Sequence, residues 1–190
     1  MRRDELEHII RAAADVTGEK EFIVIGSQAI LGQYPDAPAP LLMSMEADLY
    51  ARYAPDKSDF IDGSLGRDSR FDQTFGYHAD GVSPSTAKLP SGWEDRLTLI
   101  RNPNTRGAGG WCIEAHDIAI AKYFAGRAKD LRYNADLWKA GYLDPVTIED
   151  RLAATELDDD QRERMTAAIR RHRTTHHAPA RAAAAATGPT

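Results

Sequence analysis

Four residues in the N-terminal part of the chain have the types and spacing for chemistry on phosphate: Gly26, Ser27, Glu46 and Asp48. Glu46 and Asp48 alternate with Met45, Ala47 and Leu49, so on a strand both carboxylates, and Ser44 before them, share one face. Their Cα atoms are then about 7 Å apart, close enough for both side chains to hold one hard cation. Mg²⁺ suits such a pair, because it takes one or two carboxylates and completes its octahedron with water and substrate phosphates. A half-buried strand with a solvated acidic face carries the same alternation, so the residues upstream matter. Gly26-Ser27 closes the apolar, β-branched run Phe22-Ile23-Val24-Ile25 and precedes Gln28-Ala29-Ile30-Leu31, the pattern of a buried strand turning into a first helical turn. Amides at such a turn favour phosphate, and Ser27 adds a hydroxyl donor.

Two later stretches carry further candidates. Lys122 interrupts the apolar surface of Ile118, Ala119, Ala121 and Phe124, where an ammonium acts as a point charge toward triphosphate oxygens. Arg127, Lys129 and Asp130 follow Gly126, and Asp130 is spaced either to orient Lys122 or Arg127 or to form an ordinary i,i+3 ion pair with Arg127. On the segment Tyr77 to Val82, His78 and Asp80 alternate as Glu46 and Asp48 do, although Asp80-Gly81 is also a good turn pair.

A Gly-Ser turn after the first strand, followed by two acidic residues one apart on the next, resembles the nucleotidyltransferase (polymerase-β-like) superfamily. HDIAIAKYFAGRAKDLRYNADL, His116 to Leu137, is similar to the lysine-then-R-x-K-D helix of AbiEii-type nucleotidyltransferase toxins, and GVSPSTAKLPSGWEDRL, Gly81 to Leu97, is similar to related uncharacterised bacterial nucleotidyltransferases. The resemblance implies a mixed α/β core that moves NMP from an NTP to an acceptor. Glu46 and Asp48 then hold Mg²⁺, and Asp80 is the third carboxylate acting as base toward the attacking hydroxyl. Gly26, Ser27, Ser44, Lys122 and Arg127 bind the nucleotide, with Asp130 in the catalytic set. The family usually has Asp at the first acidic position; Glu46 has a longer arm and alters the metal geometry. The toxin resemblance further implies a tRNA end as acceptor and a cognate antitoxin as partner. Three other readings are a nucleotide- or partner-binding module without catalysis, a small-molecule (antibiotic) nucleotidyltransferase and a protein nucleotidyltransferase.

The elements that must position these residues follow from hydrophobic period and turn residues. Leu6, Ile9, Ile10 and Ala13 stand at helical spacing, making Asp4 to Val16 a packing helix ended by Gly18. Pro35, Pro38 and Pro40 make a loop of residues 33–40, with Tyr34 as packing or as a base-stacking group. Residues 56–76 read as two short helices divided near Gly66, and Leu97 to Ile100 with Gly110 to Ile113 as a hairpin across a turn cluster. Beyond Glu114 the texture is helical, with Asp117 expected as one N-cap and Thr147 with Asp150 at capping-box spacing. The fold class is thus α/β (α+β): a nucleotidyltransferase core with its N-terminal helix over 1–114, a helical C-terminal part over 115–174 and a disordered tail over 175–190.

Bulk properties narrow the class. Charged residues are 28% and hydrophobic residues 42% of 190, ordinary for a soluble protein, and the net charge of −5 excludes a globally basic nucleic-acid binder while leaving room for a local basic strip. Arginines from Arg162 to Arg173 are one candidate strip, although base at the end of a helix that begins with acid also matches its dipole. The lone Cys112 excludes an intrachain disulfide framework. No apolar run approaches membrane-spanning length and no signal peptide opens the chain, which predicts a soluble, cytoplasmic protein.

Overall fold

The run Phe22 to Ile25 becomes the centre of the molecule because it is apolar on both faces. In the computed structural model, which describes residues 1–176, it forms β1 (Glu21–Ile25), with Phe22 to Ile25 at most 2% exposed. β2 (Glu46–Ala51), β3 (His78–Gly81), β4 (Thr98–Ile100) and β5 (Gly109–Cys112) complete a five-stranded sheet of order β3-β2-β1-β5-β4. β1 is antiparallel to β2 and parallel to β5; β2 and β3 run parallel, and β4 and β5 form the expected hairpin. The mixed sheet is the one the sequence predicts.

One face of this sheet carries α1 (Arg3–Thr17), whose Leu6, Ile9, Ile10 and Ala13 are fully buried. The approach is close: a Cβ on Gly110 of β5 would lie 2.3 Å from Ile10 Cδ1. α2 (Ser58–Leu65) and α3 (Arg70–Phe75) follow β2, divided as expected at Gly66, and return the chain to β3. Register puts Asp48 beside Ile25 and Leu49 beside Val24, so the carboxylate-bearing face of β2 is the one turned away from α1. The short 3₁₀ helix Ser27–Gly32 packs on the α1 face, where a Cβ on Gly32 would lie 2.6 Å from Cys112 Cβ, and the helical C-terminal part packs in turn on that 3₁₀ helix.

The C-terminal part consists of α4 (Ala115–Ala125), α5 (Ala128–Lys139), α6 (Pro145–Ala153) and α7 (Asp159–His176). Gly126, in the left-handed region at φ 66°, lets α4 end and α5 begin within three residues. The two expected N-caps differ. Glu114 caps α4 by accepting from the His116 amide at 2.9 Å, while Asp117 is fully buried and accepts from Arg96 Nε and Nη2, both at 3.0 Å, with Arg151 Nε 3.3 Å away. Arg96, in the turn just before β4, and Arg151 of α6 together draw Asp117 inward, which outweighs its local capping preference. Asp144, rather than Thr147, caps α6: its carboxylate accepts from the Thr147 amide at 2.8 Å. α7 continues through Thr175 and His176, two residues into the stretch expected to be disordered, and the rest of that tail, with His177, lies outside the described residues. Tyr34 packs, stacking on Tyr142 at 3.7 Å between ring centroids. Among the described residues no helix is long and apolar enough to cross a membrane.

Candidate active site

Gly26 makes the first half of the site possible. It adopts φ 73° and ψ −163°, a conformation reserved in practice for glycine, and a Cβ there would lie 1.9 Å from Asp48 Oδ2. The Asp48 carboxylate therefore lies directly against the turn backbone. Ser27 opens the segment Ser27–Gly32, where the expected helical turn is a 3₁₀ helix. Only six residues separate Gly26 from Gln33, whose side chain accepts from the Ala115 amide at 2.8 Å, so the segment is tied at both ends and stays in the tighter helix. Tyr133 Oη donates to the Ser27 carbonyl at 2.6 Å, fixing the turn to α5.

The acidic half comes from two parallel strands in register. Glu46 stands opposite His78 and Asp48 opposite Asp80, so all four side chains leave the same face. Burial, and then the charges of Glu46 and Asp80, raise the Asp48 carboxyl from its ordinary 3.8 to about 6, against the pull of Lys122. Burial and the Glu46 charge also raise Asp80. Glu46 Oε2 accepts from Arg67 Nη2 at 3.2 Å. Ser44 lies before the strand expected to carry it: β2 begins only at Glu46, and the Ser44 hydroxyl accepts from the Glu46 amide at 3.2 Å. It lines the site but its oxygen closes a local turn.

The basic half comes from α4 and α5. Asp130, 1% exposed, accepts from Lys122 Nζ at 3.4 Å through one oxygen and from Arg127 Nε at 2.6 Å through the other. It therefore orients Lys122 and Arg127 together, and the i,i+3 ion pair expected from the sequence is one arm of that arrangement. Lys122 Nζ also sits 4.4 Å from the centroid of the Tyr133 ring. Burial lowers the Lys122 ammonium from its ordinary value, and the charges of Asp130 and Asp48 oppose that shift.

Between the halves lies a cleft of about 920 Å³ lined by Gly26, Ser27, Ser44, Glu46, Asp48, Lys122, Arg127 and Asp130, a volume in the range of small-molecule sites. Asp80 flanks the cleft beside Asp48, its side chain 36% exposed. The arginines of α7 do not take part: among the described residues none of the cleft lining comes from α7, Arg162 and Arg164 donate to backbone carbonyls, and Arg173 pairs with Glu149 at 2.7 Å. Basic lining residues come instead from Arg67, Arg127, Lys129 and Arg132. The sequence singled out neither Arg67 nor Arg132 nor Tyr133. Arg67 lies in the short connection between two helices and reaches Glu46 across 21 positions, a pairing with no local signal. Tyr133 was open to detection as the next residue on the face of Asp130.

A family model described as a nucleotidyltransferase of unknown function (DUF6036) matches residues 4–154. These residues include the whole sheet, the cleft lining and α4 to α6, and stop before α7. No curated protein and no solved structure matches the chain.

Proposed function

The chain belongs to the DUF6036 family of nucleotidyltransferases of unknown function, and from that premise we propose that it transfers NMP from an NTP to the end of an RNA, most simply a tRNA, using a divalent cation. The observation that carries the proposal is the register of β2 and β3, which sets Asp48 beside Asp80 and two residues from Glu46, on a cleft that Lys122 also lines. Glu46 and Asp80 raise the Asp48 carboxyl and Glu46 raises Asp80, a like-charge cluster that a dication would relieve. Glu46 and Asp48 would hold Mg²⁺. When bound, the ion offsets charge on the phosphates and at the attacking oxygen. The Gly26 and Ser27 amides, the Ser27 hydroxyl and Lys122 grip the triphosphate, while Asp130 keeps Lys122 and Arg127 aimed at it. The acceptor oxygen bonds to the α-phosphorus, the bond to the pyrophosphate oxygen breaks, and Asp80 takes the acceptor's proton.

The RNA acceptor rests on charge. In a chain of net charge −5, Arg67, Arg127, Lys129 and Arg132 converge on one cleft, and a polyanion needs only such a local strip. The similarity of α4 and α5 to AbiEii-type toxins supports the further reading of a cytoplasmic toxin restrained by a cognate antitoxin. Replacing Lys129 and Arg132 by Ala should flatten the salt dependence of tRNA binding by about 0.7 in log–log slope for each phosphate that the variant no longer neutralises. Replacing Arg170 and Arg171 should leave it unchanged. In the same preparation, each α-labelled NTP is incubated with a divalent cation and total tRNA. Label on the RNA supports the proposal, label on the protein redirects it to protein nucleotidylation, and label on neither refutes transfer to RNA.

A further inference from the structure

The pair His78-x-Asp80 on β3 repeats the spacing of Glu46-x-Asp48 on β2, and the parallel register places His78 opposite Glu46. His78 is 5% exposed, and its Nε2 is buried without a hydrogen-bond partner. That nitrogen lies 3.7 Å from Glu46 Oε2 and 3.9 Å from Asp80 Oδ1, too far for hydrogen bonds to either. One ligand atom from each of Glu46, His78 and Asp80 lies within 4.8 Å of the others. The other ring nitrogen is fixed: Nδ1 is 3.2 Å from Asp72 Oδ1, and Asp72 Oδ2 in turn accepts from the Asp68 amide at 3.0 Å. Asp72 accepts from Nδ1–H and so fixes the ring with Nε2 facing the two carboxylates, the arrangement that holds metal-ligating histidines.

Nε2 stands within ion-pair reach of Glu46 and Asp80 but makes a hydrogen bond to neither. An unpartnered polar nitrogen costs about 1–3 kcal/mol, and here the nearest groups are two carboxylate oxygens set as a ring of acceptors around it. Ligands bound at about 2.1 Å to one tetrahedral ion stand about 3.4 Å apart. Closure by a few tenths of an ångström brings His78 to that spacing from both carboxylates, and the two carboxylates, within 4.8 Å of each other, close by up to about 1.4 Å through side-chain rotation. The ion's class follows from the donor set. Mg²⁺ prefers an all-oxygen shell, whereas an imidazole nitrogen beside two carboxylates suits first-row transition dications.

We propose that Glu46, His78 and Asp80 form a cation site that selects a first-row divalent transition metal over Mg²⁺, with Asp72 as the residue positioning His78. The site shares Glu46 with the pair Glu46–Asp48 and takes one oxygen of Asp80, whose other oxygen is left for the acceptor's proton, and it stands on geometry alone, whatever the acceptor and whether or not transfer occurs. Arg67, whose side chain is 66% exposed, now occupies the Glu46 oxygen and swings into solvent when the ion binds.

The full chain is titrated with Mn²⁺, without nucleotide, by electron paramagnetic resonance, in competition with Mg²⁺. The expected result is Mn²⁺ binding at least about tenfold tighter than Mg²⁺, with ¹⁴N coupling from one imidazole in the pulsed spectrum. His78→Gln should abolish that coupling, and Asp72→Asn should weaken Mn²⁺ about 10–100-fold while keeping it. Thermal melting checks that each variant folds; if His78→Gln does not, the parent's coupling and the Asp72→Asn affinity decide. Absence of Mn²⁺ binding, equal affinity for the two ions, no ¹⁴N coupling, or coupling that survives His78→Gln would each overturn the proposal. Because neither NTP nor acceptor is present, these outcomes are independent of the transfer assay.

Discussion

Asp48→Asn should lower the proposed nucleotide transfer by about a thousandfold or more and should make the folded chain more stable above pH 6. The two effects share one cause. Burial and the charges of Glu46 and Asp80 hold the Asp48 carboxyl at about 6 in the folded state, above its ordinary 3.8. A folded-state value that is raised means that the native protein favours the protonated form. The ionised group therefore costs nothing extra below pH 4, costs more as pH rises toward 6, and carries its full penalty above that. The rise from 3.8 to about 6 corresponds to about 3 kcal/mol at about 1.4 kcal/mol per pH unit, of which about 1–2 kcal/mol should be recovered by Asn once solvent screening is counted. Urea unfolding at pH 5 and pH 8 measures it. The variant's advantage should be larger at pH 8; a variant less stable than the parent there would show that the cluster is not strained by its own charge. Such an exchange of stability for function is common where like charges are gathered to bind a cation.

Asp130→Ala should have the opposite sign, costing about 3 kcal/mol, because it leaves a buried ammonium without its partner. Lys122 is 14% exposed in its side chain and Asp130 2%, whereas Arg127 is 64% exposed and finds water when released. Most of the loss therefore comes from Lys122. Burial pushes the Asp130 carboxyl up, but the Arg127 hydrogen bond and the Lys122 charge pull harder and leave it below its ordinary value. For a depressed carboxyl the stabilisation is complete above its ordinary pKa and is lost as pH falls through the folded value. The deficit of Asp130→Ala should accordingly persist at pH 7 and shrink below pH 4, and Lys122→Met in the same background should restore part of it. Equal stability of Asp130→Ala and parent at pH 7 would mean that Asp130 does not hold Lys122 as described.

Much of this site was legible in the sequence because its parts obey local periodicities. The β-branched run Phe22 to Ile25 and its closing glycine have no other economical reading, and the period of 2 through Glu46 and Asp48 fixes a shared face before any partner strand is known. Lys122 stood out as a charge inside an apolar helical face, and the structure gives it the buried partner Asp130. What local rules missed was decided by groups far away in the chain. Asp117 looks like a cap until Arg96 and Arg151 draw it inward; Ser44 is a local miss, its hydroxyl closing a turn with the Glu46 backbone two residues on. The Ser27–Gly32 segment has an ordinary helical composition; its tighter winding is imposed by the Gln33 tether to α4. His78 was visible as the echo of Glu46, but only the parallel pairing of β2 and β3 reveals that its nitrogen faces two carboxylates.

The central claim is that the α-phosphoryl group, with its nucleoside, is what moves. A single preparation of the parent protein with a divalent cation and total tRNA is given the same NTP labelled in turn at the α- and the γ-phosphate. The account predicts α-label on the RNA, γ-label released only as pyrophosphate, and neither with Asp48→Asn. Label from the γ-position appearing on the RNA, or α-label transferred as fast by Asp48→Asn as by the parent, would contradict it.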